Sequence, residues 1–129
     1  LEKIGFIIPN ILDPSAVISK FVSMEKGIYV GKNAVINNGA SLERCTIINT
    51  SVTIEHDCII KGFAHIASSA VLCGGVKIGA NTHIGAKSAV KQYVKIGDNS
   101  IIGMGSNVLQ NIGDFMLAYG NPCKGVRKL

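Results

Sequence analysis

Glu55-His56-Asp57 is the one place in this 129-residue chain where a histidine stands between two acids. An imidazole exchanges a proton near neutral pH, and an adjoining carboxylate raises its basicity and fixes its tautomer. Such a base suits acyl transfer, where an incoming amine or hydroxyl must lose a proton. A solvated turn with acidic neighbours reads the same way, so the triplet alone does not decide. His65 follows nine residues later and His83 a further eighteen. Those spacings acquire meaning only from the elements that position them.

The elements are set by a period of six. Hexapeptides run without insertion or deletion from Leu12 to Gly113. Their first position is aliphatic throughout, from Leu12 and Ile18 to Ile102 and Val108. Their fifth is small or β-branched throughout, from Ala16 to Ile112. A six-residue period cannot be an amphipathic helix, which needs 3.6. The fifth residue of one hexad and the first of the next lie two apart, which is strand spacing with both side chains inward. Each hexad is therefore a short strand plus a turn. Gly27, Asn33, Gly39, Asp57, Gly75, Asn81, Asn99, Gly105 and Asn111 supply fourth-position residues that tolerate a left-handed backbone. Three strands close a triangular coil of eighteen residues. The expected fold is all-β, a parallel solenoid of five to six coils, roughly 27 Å tall at ~4.8 Å per strand. Residues 1–11 are expected to cap one end, 12–113 to form the solenoid and 114–129 to cap the other.

Laid out in eighteens, the outward sixth positions form three stacks. Val17, Val35, Thr53, Val71, Ala89 and Asn107 make a largely apolar side. Ser23, Ser41, Ile59, Lys77, Lys95 and Gly113 make a second; Tyr29, Ile47, His65, His83 and Ile101 make a third. An apolar stripe outside a complete core needs a partner, so the first side is expected to pack against further copies in a closed homotrimer. The flanking corners then become rims of a groove between subunits. One carries Glu55-His56-Asp57 with Gly74 one coil above His56, a notch open to a reacting group. The other carries Ala67–Ser69, Ala86 and Met104. In a ring, His56 of one subunit approaches His65 of the next.

Composition narrows the partners. Residues 1–64 hold six basic and six acidic residues, and 65–129 hold seven and two, so the net charge of +5 lies in the second half. That suits a phosphate-bearing small ligand near the C-terminal end as well as simple solubility. Nucleic acid fits poorly, because the basic residues are dispersed and aromatics make up 5%. No run approaches the ~18 apolar residues of a membrane span. Cys45, Cys58, Cys73 and Cys123 match neither zinc pairs nor a disulfide framework, and Cys58 holds an inward position. A reducing, cytoplasmic setting is expected. The chain opens on Leu rather than Met, as a processed or excised piece does.

The segment Glu-His-Asp-Cys-Ile-Ile-Lys-Gly-Phe-Ala-His-Ile-Ala, Glu55–Ala67, closely resembles the hexapeptide-repeat sugar acetyltransferases. These are the sialic acid O-acetyltransferase and UDP-amino-sugar N-acetyltransferase family. Asn10–Ser19 resembles that family's entry into its solenoid, and Tyr119–Arg127 resembles its closing Gly-Asn-Pro-Ala-Lys segment, with Cys123 in place of Ala. The resemblance implies a left-handed parallel β-helix, acetyl-CoA as co-substrate, no metal, and a sugar or nucleotide-sugar acceptor for surface glycan synthesis. It implies His56 as base and Asp57 as its tuning acid. It places His65 and the backbones of Gly74, Ala86 and Met104 along acetyl-CoA. Lys124 and Arg127 are candidates for its phosphates, or solvated tail charges. His83 lines the groove or is merely exposed. Family members carry an N-terminal Rossmann-like domain before the solenoid; Leu1–Pro9 look like the end of the linker from one, as expected of either an excised C-terminal domain or a short form of the enzyme.

Two other readings use the same solenoid. A γ-type carbonic anhydrase binds zinc through three histidines between subunits, but it uses a close His-x4-His pair that this chain lacks. A catalytically inactive trimerising or structural domain is the second. An ice-binding face would need a regular outward threonine array, and no stack has one.

Overall fold

The structure, a computed structural model, describes residues 2–129. Leu1, where the expected linker begins, lies outside the described residues. The chain is a left-handed parallel β-helix of about six turns with essentially no α-helix. Strands eighteen residues apart pair in parallel: His65 with His83, Val71 with Ala89, Lys77 with Lys95. The valine side has six strands, the lysine side five and the histidine side eight. The stacks read from the sequence are thus the three faces.

First-position residues fill the axis. Ile36, Ile48, Ile54, Ile60, Ile66, Leu72 and Ile84 are fully buried. Each buried aliphatic side chain contributes roughly 1.5–3 kcal/mol. Fifth positions hold residues small enough for the tapering corner, including Thr46, Thr82, Ser88, Ser100 and Ser106. Most of these hydroxyls are satisfied by backbone of the coil above: Thr82 Oγ1 donates to the Gly97 carbonyl at 2.6 Å and Ser100 Oγ to that of Gly113 at 2.9 Å. Thr46 Oγ1 is buried with no hydrogen-bond partner among the described residues. Thr46→Val, which replaces that hydroxyl by a methyl, is expected to stabilise the chain by about 1 kcal/mol; a lower unfolding midpoint in denaturant than wild type would contradict this.

The turns obey one rule. The fourth position is left-handed in every hexad from Gly27 to Gly105. Six of these residues, Cys45, Ser51, Phe63, Ser69, Lys87 and Tyr93, are neither Gly, Asn nor Asp. The coil closure imposes the conformation even where the side chain disfavours it by about 1 kcal/mol or more.

The top of the solenoid departs from the expected register. Ile112 pairs with Ile96, and Leu117 and Ala118 with Ile101 and Ile102, sixteen residues apart in each case. The final coil is therefore two residues short, and Gly113 does not stack over Lys95. The sequence keeps its aliphatic beat through Ile112, so the slip is invisible there. Its cause is the closing hairpin: Met116–Gly120 joins the histidine side and pairs antiparallel with Cys123–Lys128, burying Ala118 and Cys123. At the other end Asn10 ties the edge of the first coil, accepting from Ile28 N–H at 2.9 Å and donating to the Glu25 carbonyl at 2.8 Å. Leu12 stays 42% exposed below it.

Candidate active site

His56 stands on the corner between the valine and lysine sides. Its Nδ1 lies 2.9 Å from Asp57 Oδ2. A carboxylate accepts, so Nδ1 carries the hydrogen and Nε2 keeps its lone pair. That Nε2 is aimed at Gly74: a Cβ on Gly74 would lie 2.5 Å from Nε2 and 2.6 Å from Cε1. Gly74 has no left-handed backbone, so glycine is required there for space rather than for conformation. A second glycine supports the pair from below. A Cβ on Gly39 would collide with Asp57 Oδ1. The base and its acid are held between two glycines one coil apart on either side.

Glu55 is not part of the dyad. Its Oε2 accepts from Asn37 Nδ2 at 3.1 Å, on the coil below. Of the two acids flanking His56 in sequence, only Asp57 bonds to it. The dyad is open to solvent, with side-chain exposures of 56% for His56 and 72% for Asp57. Within one chain it is a notch on an edge, not an enclosed pocket.

The peptide N–H groups at the third hexad position face outward at each turn. On the corner between the lysine and histidine sides, carboxylates occupy them coil after coil. Arg44 N–H donates to Glu25, Gly62 to Glu43, Ala80 to Asp98 and Asp98 to Asp114, all at 2.8–2.9 Å. On the other two corners no such carboxylate row forms, although Thr50 N–H is taken by its neighbour Asn49 Oδ1 at 2.8 Å. Among the described residues nothing accepts the N–H of His56 or Gly74, nor those of Ser68, Ala86 and Met104. An N–H that folding leaves free is ready for an outside carbonyl oxygen. Both free rows flank the valine side.

His65 lies on the histidine side, in register with His83, their rings 4.9 Å apart and edge-on. Burial, reinforced by the neighbouring His83, pushes its pKa below the usual histidine value, which favours the neutral ring. Asn49 sets its tautomer. Asn49 Oδ1 accepts Thr50 N–H at 2.8 Å, which leaves Nδ2 to donate to His65 Nε2 at 3.2 Å. His65 therefore offers Nδ1–H as a donor. Asn49 was missed in the sequence because it sits sixteen residues before His65, on a diagonal rather than in an eighteen-residue stack.

The remaining candidates disperse. Ala86 and Met104 occupy successive coils of the corner between the histidine and valine sides, and Met104 is 75% exposed. Lys124 and Arg127 are exposed on the closing hairpin, paired with Tyr119 and Leu117. His56 and His65 are not brought together within one chain. Among the described residues no three His, Cys, Asp or Glu side chains gather to hold a metal ion, and no helix is long and apolar enough to cross a membrane. All four cysteines are free thiols. A separate groove of about 630 Å³ opens on the lysine side beneath the short final coil, bordered by Lys61, Lys77, Lys95 and Asp98; it does not include His56.

Comparison with known proteins agrees with this architecture. The family described as bacterial transferase hexapeptide (six repeats) matches residues 75–110. The acetyltransferase domain of PglB from Neisseria gonorrhoeae, solved in complex with acetyl coenzyme A, is 32% identical over 97% of this chain and 61% of its own, with a TM-score of 0.95. A mutant of perosamine N-acetyltransferase from Caulobacter crescentus, solved with CoA and GDP-perosamine, is 31% identical over 98% of this chain and 60% of its own, with a TM-score of 0.97. WeeI from Acinetobacter baumannii shares the fold at 22% identity, over 89% of this chain and 57% of its own, with a TM-score of 0.86. The chain spans about three fifths of the length of the first two. No curated protein sequence matches it. The resemblance read from Glu55–Ala67 thus extends to hexapeptide-repeat sugar acetyltransferase domains at the level of structure.

Proposed function

We propose that this chain is an acetyl-CoA-dependent acetyltransferase acting on an amino or hydroxyl group of a nucleotide-linked sugar or a sialic acid. The observation that carries the reading is the direction of His56 Nε2. The Nδ1–Asp57 bond leaves Nε2 as the lone-pair nitrogen of the neutral ring, and it faces a glycine whose own N–H has no partner among the described residues. A base and an oxyanion donor on one notch are what acyl transfer needs. The PglB domain with acetyl coenzyme A and the Caulobacter enzyme with CoA and GDP-perosamine support the donor and the acceptor class.

In this mechanism the acceptor N–H or O–H gives its proton to His56 Nε2 as its nitrogen or oxygen bonds to the thioester carbon. Asp57 holds the ring and stabilises the imidazolium. The carbonyl oxygen, now negative, takes the Gly74 N–H. Collapse breaks the carbon–sulfur bond, and the CoA thiolate recovers the proton from His56. No residue of the chain becomes acylated.

The site is completed by a second copy. The two corners with free N–H groups both border the apolar valine side, so a homotrimer closed on that side places the His56 corner of one subunit opposite the His65 face and the Ala86–Met104 corner of the next. His65 Nδ1–H and the Ala86 and Met104 backbones then line the donor's pantetheine arm, and Lys124 and Arg127 meet its phosphates. Synthesis of a nucleotide sugar places the enzyme in the cytoplasm.

Calorimetric titration with acetyl-CoA, and light scattering at the same concentration, test this directly. The expected result is binding to a particle of three chains, with release of CoA thiol on adding a UDP- or GDP-linked amino sugar. A trimer that binds neither acetyl-CoA nor CoA would favour the purely structural reading.

A further inference from the structure

Tyr93 stands at the catalytic corner without an evident structural role. Its backbone is left-handed, with φ of 62°, a conformation that glycine or asparagine would adopt more cheaply. Its side chain is 71% exposed. Phe63 shares the conformation, but the Arg44 guanidinium lies 5.6 Å from its ring. Among the described residues, Tyr93 has no comparable ring or cation partner.

The ring is nevertheless placed. It lies against Gly75, where a Cβ would come 2.5 Å from its Cδ1 and 2.7 Å from its Cε1. Tyr93 N–H donates to the Gly74 carbonyl at 3.0 Å, and Gly75 N–H to the His56 carbonyl at 2.8 Å. Two rings therefore meet a shelf of two glycines from opposite coils: His56 from below against Gly74, Tyr93 from above against Gly75. Along the chain this corner runs from Cys73, beside the valine side, through Gly74 and Gly75 toward the lysine side.

We infer that Tyr93 is a specificity-determining residue that limits the donor's acyl group to two carbons. The inference rests on the acetyltransferase reading. A thioester entering from the valine side has its sulfur near Cys73 and its carbonyl at Gly74 N–H. The acyl methyl then points along the chain to Gly75, where the Tyr93 ring blocks further extension. A butanoyl group needs space for two more methylenes, and the ring occupies it.

Calorimetry with CoA, acetyl-CoA and butanoyl-CoA on wild type, Tyr93→Gly and Tyr93→Phe tests this without knowledge of the acceptor. Glycine suits the left-handed turn, so the fold is kept; matching unfolding midpoints check it. Wild type is expected to bind butanoyl-CoA at least about tenfold more weakly than acetyl-CoA, since one methylene in a fixed pocket is worth roughly 10–200-fold. Tyr93→Gly should bring the two esters within about threefold, and Tyr93→Phe should restore the rejection because the ring, not the hydroxyl, is the stop. Equal binding of both esters by wild type, or unchanged rejection in Tyr93→Gly, would overturn the role of Tyr93 and leave the acetyltransferase reading standing. Failure of wild type to bind any of the three would overturn that reading and this inference together.

Discussion

His56→Ala is expected to lower acetyl transfer by roughly 10²–10⁴-fold, the usual contribution of a positioned general base. The loss should fall on kcat, because no part of the donor is assigned to the imidazole. The fold should not notice: the side chain is 56% exposed and bonds only to Asp57. Unfolding midpoint and particle mass therefore serve as controls. Asp57→Asn should cost less than His56→Ala, because the ring remains but loses the anion that stabilises its protonated form. Glu55→Gln gives the contrast. Glu55 is held by Asn37 on the coil below, so its neutralisation should leave kcat within a few-fold of wild type. Turnover of His56→Ala within tenfold of wild type would remove His56 from the mechanism.

That contrast between Asp57 and Glu55 marks where the sequence stopped being legible. The period of six gave the prism, and a lattice of eighteens placed Gly74 over His56 and His65 beside His83. These are backbone consequences: parallel pairing forces every eighteenth residue into one stack, and the aliphatic beat fixes the phase. Side-chain bonds follow no such lattice. Asn37 takes Glu55 along a stack, but Asn49 reaches His65 on a diagonal of sixteen. The carboxylates that close the third corner act at separations of sixteen, eighteen and nineteen. Glu25, Glu43, Asp98 and Asp114 look in the sequence like scattered surface charge. In the structure they silence one row of peptide donors and leave two rows beside the valine side.

The short final coil was hidden for a different reason. Ile112 has the right character for a fifth position, and it is equally suited to the axis, where it sits against Ile96. A hydrophobic pattern cannot distinguish two inward positions that lie two residues apart on the same face. The hairpin from Met116 to Lys128 decides between them, because its first strand must pair with Ile101 and Ile102. The consequence is local to the top of the prism and does not reach the His56 corner three coils below.

Gly74→Ala should be nearly as damaging to activity as loss of the histidine, and for a reason confined to one methyl group. The added Cβ would stand 2.5 Å from His56 Nε2, 2.6 Å from Cε1 and 3.1 Å from Cδ2, well inside contact distance. The imidazole is the movable partner, so it must swing outward. Swinging strains or breaks the 2.9 Å bond to Asp57 and turns Nε2 away from the acceptor. Misdirection of the base alone forfeits most of the roughly 10²–10⁴-fold that a positioned general base supplies. Stability should be preserved or slightly raised, by up to about 1 kcal/mol. Gly74 has an ordinary backbone and its N–H serves no internal bond, so alanine mainly restricts the unfolded chain. Gly75→Ala separates the two effects. Its φ of +69° and its contact with the Tyr93 ring make that substitution a destabilising one, readable in the unfolding midpoint. An enzyme that kept wild-type kcat with alanine at 74 would show that the aim of His56 at this glycine is not used.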